Sequence, residues 1–220
     1  MIVLGLTGSI GMGKSTAAAM LRRLGVKVHD SDASVHRLLA RGGAAVARVA
    51  AEFPGTMDRG GGIDRAALAG RVFGDPAALR HLEAILHPMV RADAARFLRA
   101  MAARRAGLVV LDIPLLFESG GEGRCDAILV VSAPAFLQHA RVLARPGMSE
   151  TRLVAILAKQ MPDREKRRRA DFVVPTGLGR SLTLRRIAEI VRVLRAEQSR
   201  FARRRMTRRR GPHARDRSRY

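Results

Sequence analysis

The sequence predicts an α/β fold in which a parallel sheet carries helices on both faces. Short apolar runs alternate with helix-like segments along the chain, a pattern typical of parallel strands joined by crossover helices. The run at 108–113 is almost continuously apolar, as expected for a central strand that is buried on both faces. A length of 220 residues and an apolar fraction of 47% suit one domain of this class with a small insert.

The predicted elements follow one another in chain order. Strands are expected at 2–6, 26–29, 108–113, 127–132 and 171–174. Helices are expected at 15–24, 33–41, 44–53, 64–73, 75–86, 89–105, 136–144, 149–161 and from Ser181 onward. Asp75-Pro76 is a helix start signal, because Asp accepts N-cap hydrogen bonds and Pro suits the first helical position. Asp64 and Ser149 are likewise predicted to cap the helices at 64–73 and 149–161. The block at 54–106 is helical without a strand, which indicates an insert between the second and third strands.

Residues 8–15 read Gly-Ser-Ile-Gly-Met-Gly-Lys-Ser and fit the P-loop pattern G-x-x-x-x-G-K-[ST] at every fixed position. The motif lies between a predicted strand and a predicted helix, where backbone N–H groups and the helix N-terminus bind phosphate. Lys14 is expected to reach the outer phosphates of ATP, and the Ser15 hydroxyl is placed to ligate Mg²⁺. The predicted nucleotide-binding residues are Gly8, Gly11, Met12, Gly13, Lys14, Ser15 and Thr16.

Acidic residues follow two other strands at the same predicted edge, which is where ligands bind in open α/β sheets. In the segment 30–32, Asp-Ser-Asp, one carboxylate can orient a hydroxyl for phosphoryl transfer, or Ser31 or Asp32 caps the next helix. Asp112, at the end of the third strand, is either a Mg²⁺ ligand or a turn residue. The apolar segment 113–118 after it is either a substrate wall or core closure.

Arginines on a predicted helix–turn–helix form a candidate lid. Arg141 and Arg145 are four residues apart and therefore share a helix face. Lid arginines of small kinases close over the triphosphate and neutralise its charge, whereas the alternative here is a solvated basic face. The run 166–169, Lys-Arg-Arg-Arg, is predicted to lie mostly on the surface. His87, at a predicted helix end, is typical of a structural histidine.

The formal net charge of +22 is unevenly distributed. Residues 200–220 contain ten arginines and one acid, and their low apolar content predicts a disordered tail. This tail is either an arm that contacts nucleic acid or an anionic surface, or a product of the arginine bias of the whole chain. A single cysteine, Cys125, and the lack of any membrane-length apolar run favour a cytoplasmic enzyme without membrane contact.

Together these motifs resemble the dephospho-CoA kinase family of P-loop kinases. The matching segments occur in the family's order and cover residues 1 to about 195. They are 5–16, 30–32, 64–68, 86–88, 112–118 and 141–171, the last with Gln160 and Ala170-Asp171. The resemblance implies a P-loop NTPase-type three-layer fold within a kinase domain of 1–199. It also implies a helical acceptor-binding insert at 54–106 and a helical lid at 136–165.

The resemblance further implies that ATP phosphorylates the ribose 3′-hydroxyl of dephospho-CoA, giving CoA and ADP in the last step of coenzyme A biosynthesis. Asp32 is implied as the carboxylate that orients or deprotonates this hydroxyl, with Lys14 and Arg145 as the other catalytic residues. The implied substrate contacts are Asp32, Arg65, His87, Leu115, Phe117 and Arg145. Arg141 joins the ATP-binding residues, and the implied Mg²⁺ ligands are Ser15 and Asp112.

Two departures from the family pattern concern the nucleotide site. Ser9 stands where the family often has Gly, and the segment 173–177 lacks the Asp or Asn that family members often carry near the adenine. Adenine contacts there then require the backbone or Thr176. Two other functions also fit parts of the sequence. They are a small P-loop kinase for a nucleotide or small alcohol, and a non-catalytic nucleic-acid binder suggested by the net charge.

Overall fold

The computed structural model describes residues 1–196, so the predicted disordered tail lies outside the described residues. Five strands of this part form one sheet in the order β2-β3-β1-β4-β5. Their bounds are β1 Ile2–Thr7, β2 Lys27–Asp30, β3 Leu108–Asp112, β4 Ala127–Ser132 and β5 Phe172–Pro175. β1 pairs in parallel with β3 and β4, and β4 pairs in parallel with β5. The predicted α/β class with a parallel sheet is confirmed.

The helices lie close to the predicted segments, with two exceptions: the break predicted near Pro88, and the helix at 163–169, which was not predicted. They are α1 Lys14–Arg23, α2 Ser31–Leu39, α3 Val46–Glu52, α4 Arg65–Val72, α5 Pro76–Ala103, α6 Ala135–Leu143, α7 Glu150–Ala158, α8 Asp163–Arg169 and α9 Arg180–Ala196. The side chains of Asp64, Asp75 and Ser149 accept hydrogen bonds from backbone N–H groups in the first turns of α4, α5 and α7. These three predicted N-caps are therefore confirmed.

The predicted helix break near Pro88 is wrong, because α5 continues through this proline. A proline inside a helix removes one hydrogen bond and costs about 3 kcal/mol. Ile85 and Leu86 before Pro88 are buried, and so is Ala94 after it. Burial on both sides of the proline supplies the packing energy that keeps the helix continuous. Local sequence signals do not report this packing.

The sheet is buried most deeply along β1, its central strand. Every residue of β1, β3 and β4 is buried. A core cluster packs α1 and α9 against the sheet, with Leu21 and Ile187 among its buried residues. Because β1 is central, the loop that follows it leaves the sheet between the carboxyl ends of two neighbouring strands. This is the position at which α/β sheets bind ligands.

The chain divides into two compact units. The first comprises Met1–His29 and the chain from Met101 onward, and it contains most of the sheet. The second is Asp30–Ala100, with α2 to α4, most of α5 and a core of its own that includes Val49 and Phe53. The acceptor-binding role of the helical insert stays a prediction. Within residues 1–196, no helix combines the length and apolar character needed to cross a membrane.

Candidate active site

The P-loop connects β1 to α1 inside the first unit. Gly11 and Gly13 adopt φ angles of +77° and +88°, in the left-handed region that strains any residue with a side chain. A Cβ atom on Gly11 would also lie 2.6 Å from Val142 Cγ2. Backbone conformation therefore favours glycine at both positions, and lack of space adds to this requirement at Gly11.

Three consecutive carbonyls of the P-loop accept hydrogen bonds from side chains outside the loop. The pairs are Gln138 Nε2 to Ile10 O at 2.8 Å, Arg141 Nη1 to Gly11 O at 3.4 Å, and Thr176 Oγ1 to Met12 O at 2.8 Å. The peptide bonds of the loop are trans, so the N–H groups of Gly11 and Gly13 point away from the carbonyls of Ile10 and Met12 that precede them. The three side chains therefore hold the carbonyls on one side of the loop and leave the N–H groups of Gly11 and Gly13 on the other side, where a phosphate can bind them.

The Ile10 peptide is held on both sides. Gln160 Oε1 accepts the Ile10 N–H at 3.1 Å, while Gln138 binds the carbonyl. Gln138 lies on α6 and Gln160 follows α7, so one helix of the predicted lid region and the segment after the other contact the P-loop backbone. Sequence analysis missed the supporting roles of Gln138, Gln160 and Thr176. Their partners are 128, 150 and 164 residues away along the chain, and no short motif links them.

Lys14 and Asp112 form an ion pair at the foot of the P-loop. Lys14 Nζ lies 2.9 Å from Asp112 Oδ1, and Asp112 is only 2% exposed. The strand register brings them together, because Leu6 in β1 pairs with Asp112 in β3. The lysine predicted to contact the phosphates and the aspartate predicted as a Mg²⁺ ligand are therefore neighbours in the fold.

The two predicted lid arginines differ in their surroundings. Arg141 is partly buried, and its Nη2 donates to Thr176 O at 2.8 Å in addition to the Nη1 contact with the P-loop. Arg145 follows α6 and is exposed. A hydrogen bond between His139 Nε2 and Glu150 Oε1 links α6 to α7. Arg141 supports the loop from outside, whereas the exposed Arg145 is accessible to a ligand. Their ligand contacts stay predictions.

The segment after β3 divides between buried and accessible residues. Leu116 is fully buried and Phe117 is 6% exposed, with the Arg169 guanidinium 5.5 Å from the Phe117 ring centroid. Leu115 is 39% exposed. Core closure therefore accounts for Leu116 and Phe117, and Leu115 is the residue of the three that a ligand can reach. The substrate roles of Leu115 and Phe117 stay predictions.

The prediction that residues 166–169 lie mostly on the surface holds for Arg167, Arg168 and Arg169, which are exposed, but Lys166 is fully buried. Its Nζ lies 2.9 Å from Glu118 Oε1, and the same oxygen accepts the Met161 N–H at 2.8 Å. Four consecutive basic residues carry no apolar pattern that tells which one faces inward. Lys166 is buried as one member of an ion pair with Glu118, the usual condition under which a lysine is fully buried.

Glu118 has a pKa below its ordinary value of 4.5. Burial alone raises this pKa, but the Lys166 ammonium and the backbone N–H groups of Glu118 and Met161 outweigh the burial. A lowered pKa means that the stabilising contribution of the carboxylate is present above pH 4.5 and is lost as the pH falls through the lowered value.

In the second unit, the structure settles which residue of segment 30–32 caps α2. Asp30 Oδ1 accepts the Ala33 N–H at 3.0 Å, so capping by Ser31 or Asp32 is wrong. Asp30 is the N-cap because its extended backbone places its carboxylate over the first turn of α2. Asp32 lies within that first turn and is exposed.

Two further predicted substrate residues also lie in the second unit. Arg65 begins α4, and its Nη1 lies 3.4 Å from His36 Nδ1. His87 is exposed inside α5 and is not at a helix end. The roles of Asp32, Arg65 and His87 toward a substrate stay predictions.

Gly8 is expected to tolerate no side chain, because a Cβ atom there would lie 2.7 Å from the carbonyl oxygen of Val131 in β4. We expect Gly8→Ala to lower the free energy of unfolding by about 1–3 kcal/mol, since backbone atoms must move. Urea denaturation measures this loss. The matched control is Gly70→Ala in α4, where nothing lies within 4 Å and the free energy should rise by about 0.5–1 kcal/mol. Equal effects of both substitutions would contradict the close approach of Gly8 to β4.

The fold and this site define a class of protein. A P-loop after the central strand, a lysine paired with a strand-end aspartate, and an arginine-bearing helix pair are the parts of a P-loop kinase. Comparison with known proteins narrows the class, because the sequence model of the family described as dephospho-CoA kinase matches residues 2–178. The chain belongs to the dephospho-CoA kinase family. It is an enzyme of the final step of coenzyme A biosynthesis.

Individual relatives agree with the family match. A dephospho-CoA kinase of Paramagnetospirillum magneticum is 69% identical over 167 residues, which are 76% of this chain and 78% of the relative. A dephospho-CoA kinase of Rhodospirillum rubrum is 57% identical over 213 residues, which are 97% of this chain and all of the relative. A crystal structure from Thermus thermophilus has a TM-score of 0.74 and 43% identity, and the match covers 87% of this chain and 96% of that one.

Proposed function

We propose that this chain transfers the γ-phosphoryl group of ATP to the ribose 3′-hydroxyl of dephospho-CoA, with separate sets of residues for donor and acceptor. The observation that carries the donor half is the Lys14–Asp112 ion pair of 2.9 Å beside the braced P-loop. Kinase relatives that match most of the chain support the acceptor.

In the donor half, Lys14 exchanges its contact with Asp112 for oxygens of the outer phosphates. The N–H groups of Gly11 and Gly13 and the N-terminus of α1 bind the remaining phosphate oxygens. Lys14 then neutralises charge that develops on the leaving ADP during transfer. Arg145, exposed in the turn after α6, adds positive charge when the lid helices close.

The oxygens of Ser15 and Asp112 fit a Mg²⁺ ion. Ser15 lies exposed in the first turn of α1, and the buried Asp112 offers a carboxylate at the end of β3. The described residues include no group of three or more His, Cys, Asp and Glu that could hold a metal alone. Mg²⁺ in phosphate sites commonly takes one or two protein oxygens and fills its shell with phosphate oxygens and waters. When bound, the ion supplies charge neutralisation on the β- and γ-phosphates.

In the acceptor half, Asp32 accepts a hydrogen bond from the ribose 3′-hydroxyl and takes its proton as the oxygen attacks the γ-phosphorus. The bond from phosphorus to the bridging oxygen of ADP breaks in the same displacement. Asp30 supplies the cap of α2, so of the two carboxylates in segment 30–32 we assign Asp32 to the acceptor. Arg65 binds anionic groups of the acceptor.

An acceptor panel in a coupled ADP-release assay tests this function. We expect kcat/KM for dephospho-CoA to exceed that for adenosine or AMP by at least about 100-fold, because the rest of the substrate contributes binding energy to the transition state. The matched control is dephospho-CoA with a 3′-deoxyribose, which should release no ADP above background. Equal turnover of AMP or adenosine, or turnover of the 3′-deoxy compound, would refute the proposed acceptor.

A further inference from the structure

Lys166 is one of the largest fully buried side chains of the protein. Within residues 1–196, Glu118 is the one carboxylate in ion-pair contact with it, at 2.9 Å. A buried ion pair seldom stabilises a protein more than apolar residues of the same volume, because both charges lose their hydration. The general stability of the fold therefore does not account for a lysine at this position.

The contacts of Glu118 connect Lys166 to the P-loop. The oxygen that contacts Lys166 also accepts the Met161 N–H at 2.8 Å. Met161 directly follows Gln160, whose side chain binds the Ile10 N–H at 3.1 Å. Three polar contacts and one peptide bond therefore lead from a buried ammonium to the backbone of the nucleotide-binding loop.

Helix α8 holds the segment after β3 through a second contact. Arg169, three residues after Lys166, lies over the ring of Phe117, the neighbour of Glu118. Residues three apart share a helix face, so one face of α8 contacts two consecutive residues of this segment. The Glu118 side chain is 17% exposed, which leaves it a route toward water if its buried partner is removed.

We propose that Lys166 is a positioning residue of this kinase. Its ammonium holds the Glu118 carboxylate against the Met161 N–H, so that Gln160 stays on Ile10 and the P-loop keeps its nucleotide-binding conformation. Without Lys166, the Glu118 side chain turns to water, and the Met161 N–H and the Gln160 side chain lose their fixed positions. The inference rests on the proposed function only in that the P-loop binds the nucleotide.

A double-mutant cycle on ADP binding tests this role. Isothermal titration calorimetry with ADP and Mg²⁺ compares the wild type, Lys166→Met, Gln160→Ala and the double variant. We expect each single substitution to weaken ADP binding by about three- to tenfold, the range that one hydrogen bond contributes. The double variant should bind no more than about twofold more weakly than either single variant, because both substitutions break one connected path. Arg164→Met, on the exposed side of α8, is the control and should stay within about twofold of the wild type.

A second variant separates positioning from stability. Lys166→Met combined with Glu118→Leu replaces the ion pair by apolar side chains, so the melting temperature should stay near that of the wild type. The same loss of ADP affinity is expected, because Met161 has lost its acceptor. This variant also takes the place of Lys166→Met in the cycle if the single variant does not fold.

Two results would overturn the role of Lys166. One is wild-type ADP affinity in a folded Lys166→Met or Lys166→Met/Glu118→Leu protein. The other is a loss in the Lys166→Met/Gln160→Ala protein equal to the product of the single losses, which independent sites give. ADP binding is measured without any acceptor, so these results judge Lys166 separately from the identity of the phosphorylated hydroxyl.

Discussion

Replacing Lys14 by alanine is expected to lower kcat by about 100- to 1000-fold, the cost of removing one preorganised charge from a phosphoryl-transfer site. The ammonium lies at the N-terminus of α1 and 2.9 Å from Asp112, within the P-loop itself. No other lysine or arginine is within the motif, so no other side chain of the loop replaces its charge. Coupled ADP release at saturating ATP and dephospho-CoA measures the effect.

The control for Lys14→Ala addresses the carboxylate that this substitution leaves behind. Asp112 is 2% exposed, and a buried carboxylate that loses an ion-pair partner destabilises the fold. Lys14→Ala combined with Asp112→Asn removes that charge as well. It should restore thermal stability toward the wild-type value while kcat stays low. A kcat for Lys14→Ala within tenfold of the wild type, or recovery of kcat in the double variant, would show that Lys14 does not stabilise the transition state.

Replacing Asp32 by asparagine is expected to lower kcat by about 100- to 10,000-fold, the usual contribution of a general base. Asparagine has nearly the same shape, but it cannot take the proton of the attacking hydroxyl. ATP affinity should stay within about twofold of the wild type, because Asp32 is assigned to the acceptor alone. Stopped-flow or steady-state assays give kcat, and titration with a non-hydrolysable ATP analogue gives the affinity.

The matched control is Asp30→Asn in the same segment. Asp30 caps α2, and asparagine caps helices as well as aspartate does. Asp30→Asn should therefore change activity far less than Asp32→Asn. Near wild-type turnover in Asp32→Asn, or a larger loss in Asp30→Asn, would show that the acceptor carboxylate is assigned to the wrong residue.

Much of the fold was predictable because its signals are local. The strands appear as short apolar runs, and the caps of α4, α5 and α7 appear as single polar residues before apolar periods. The break predicted in α5 shows the limit of such signals. Proline at position 88 is a strong local signal against a helix, yet burial of Ile85 and Ala94 on either side outweighs it.

In the candidate site, too, some features follow from local sequence signals and others depend on tertiary structure. Contiguous residues identify the P-loop, and the strand-end acids follow from the order of strands. The cap of α2 was predicted wrongly as Ser31 or Asp32, because both residues directly precede the helix that was expected from position 33. Backbone geometry, which brings Asp30 Oδ1 to 3.0 Å from the Ala33 N–H, assigns the cap to the preceding residue instead.

The sequence by itself determined the α/β class, the nucleotide-binding loop and the family, because each depends on residues that are adjacent or regularly spaced. Only the tertiary structure decided that Lys14 pairs with Asp112, that Gln138, Gln160 and Thr176 hold the loop, and that Lys166 is buried against Glu118. These pairs join residues 98 to 164 positions apart, or 48 positions in the case of Lys166 and Glu118. Their geometry depends on how strands and helices pack, and packing distances leave no periodic trace in the chain.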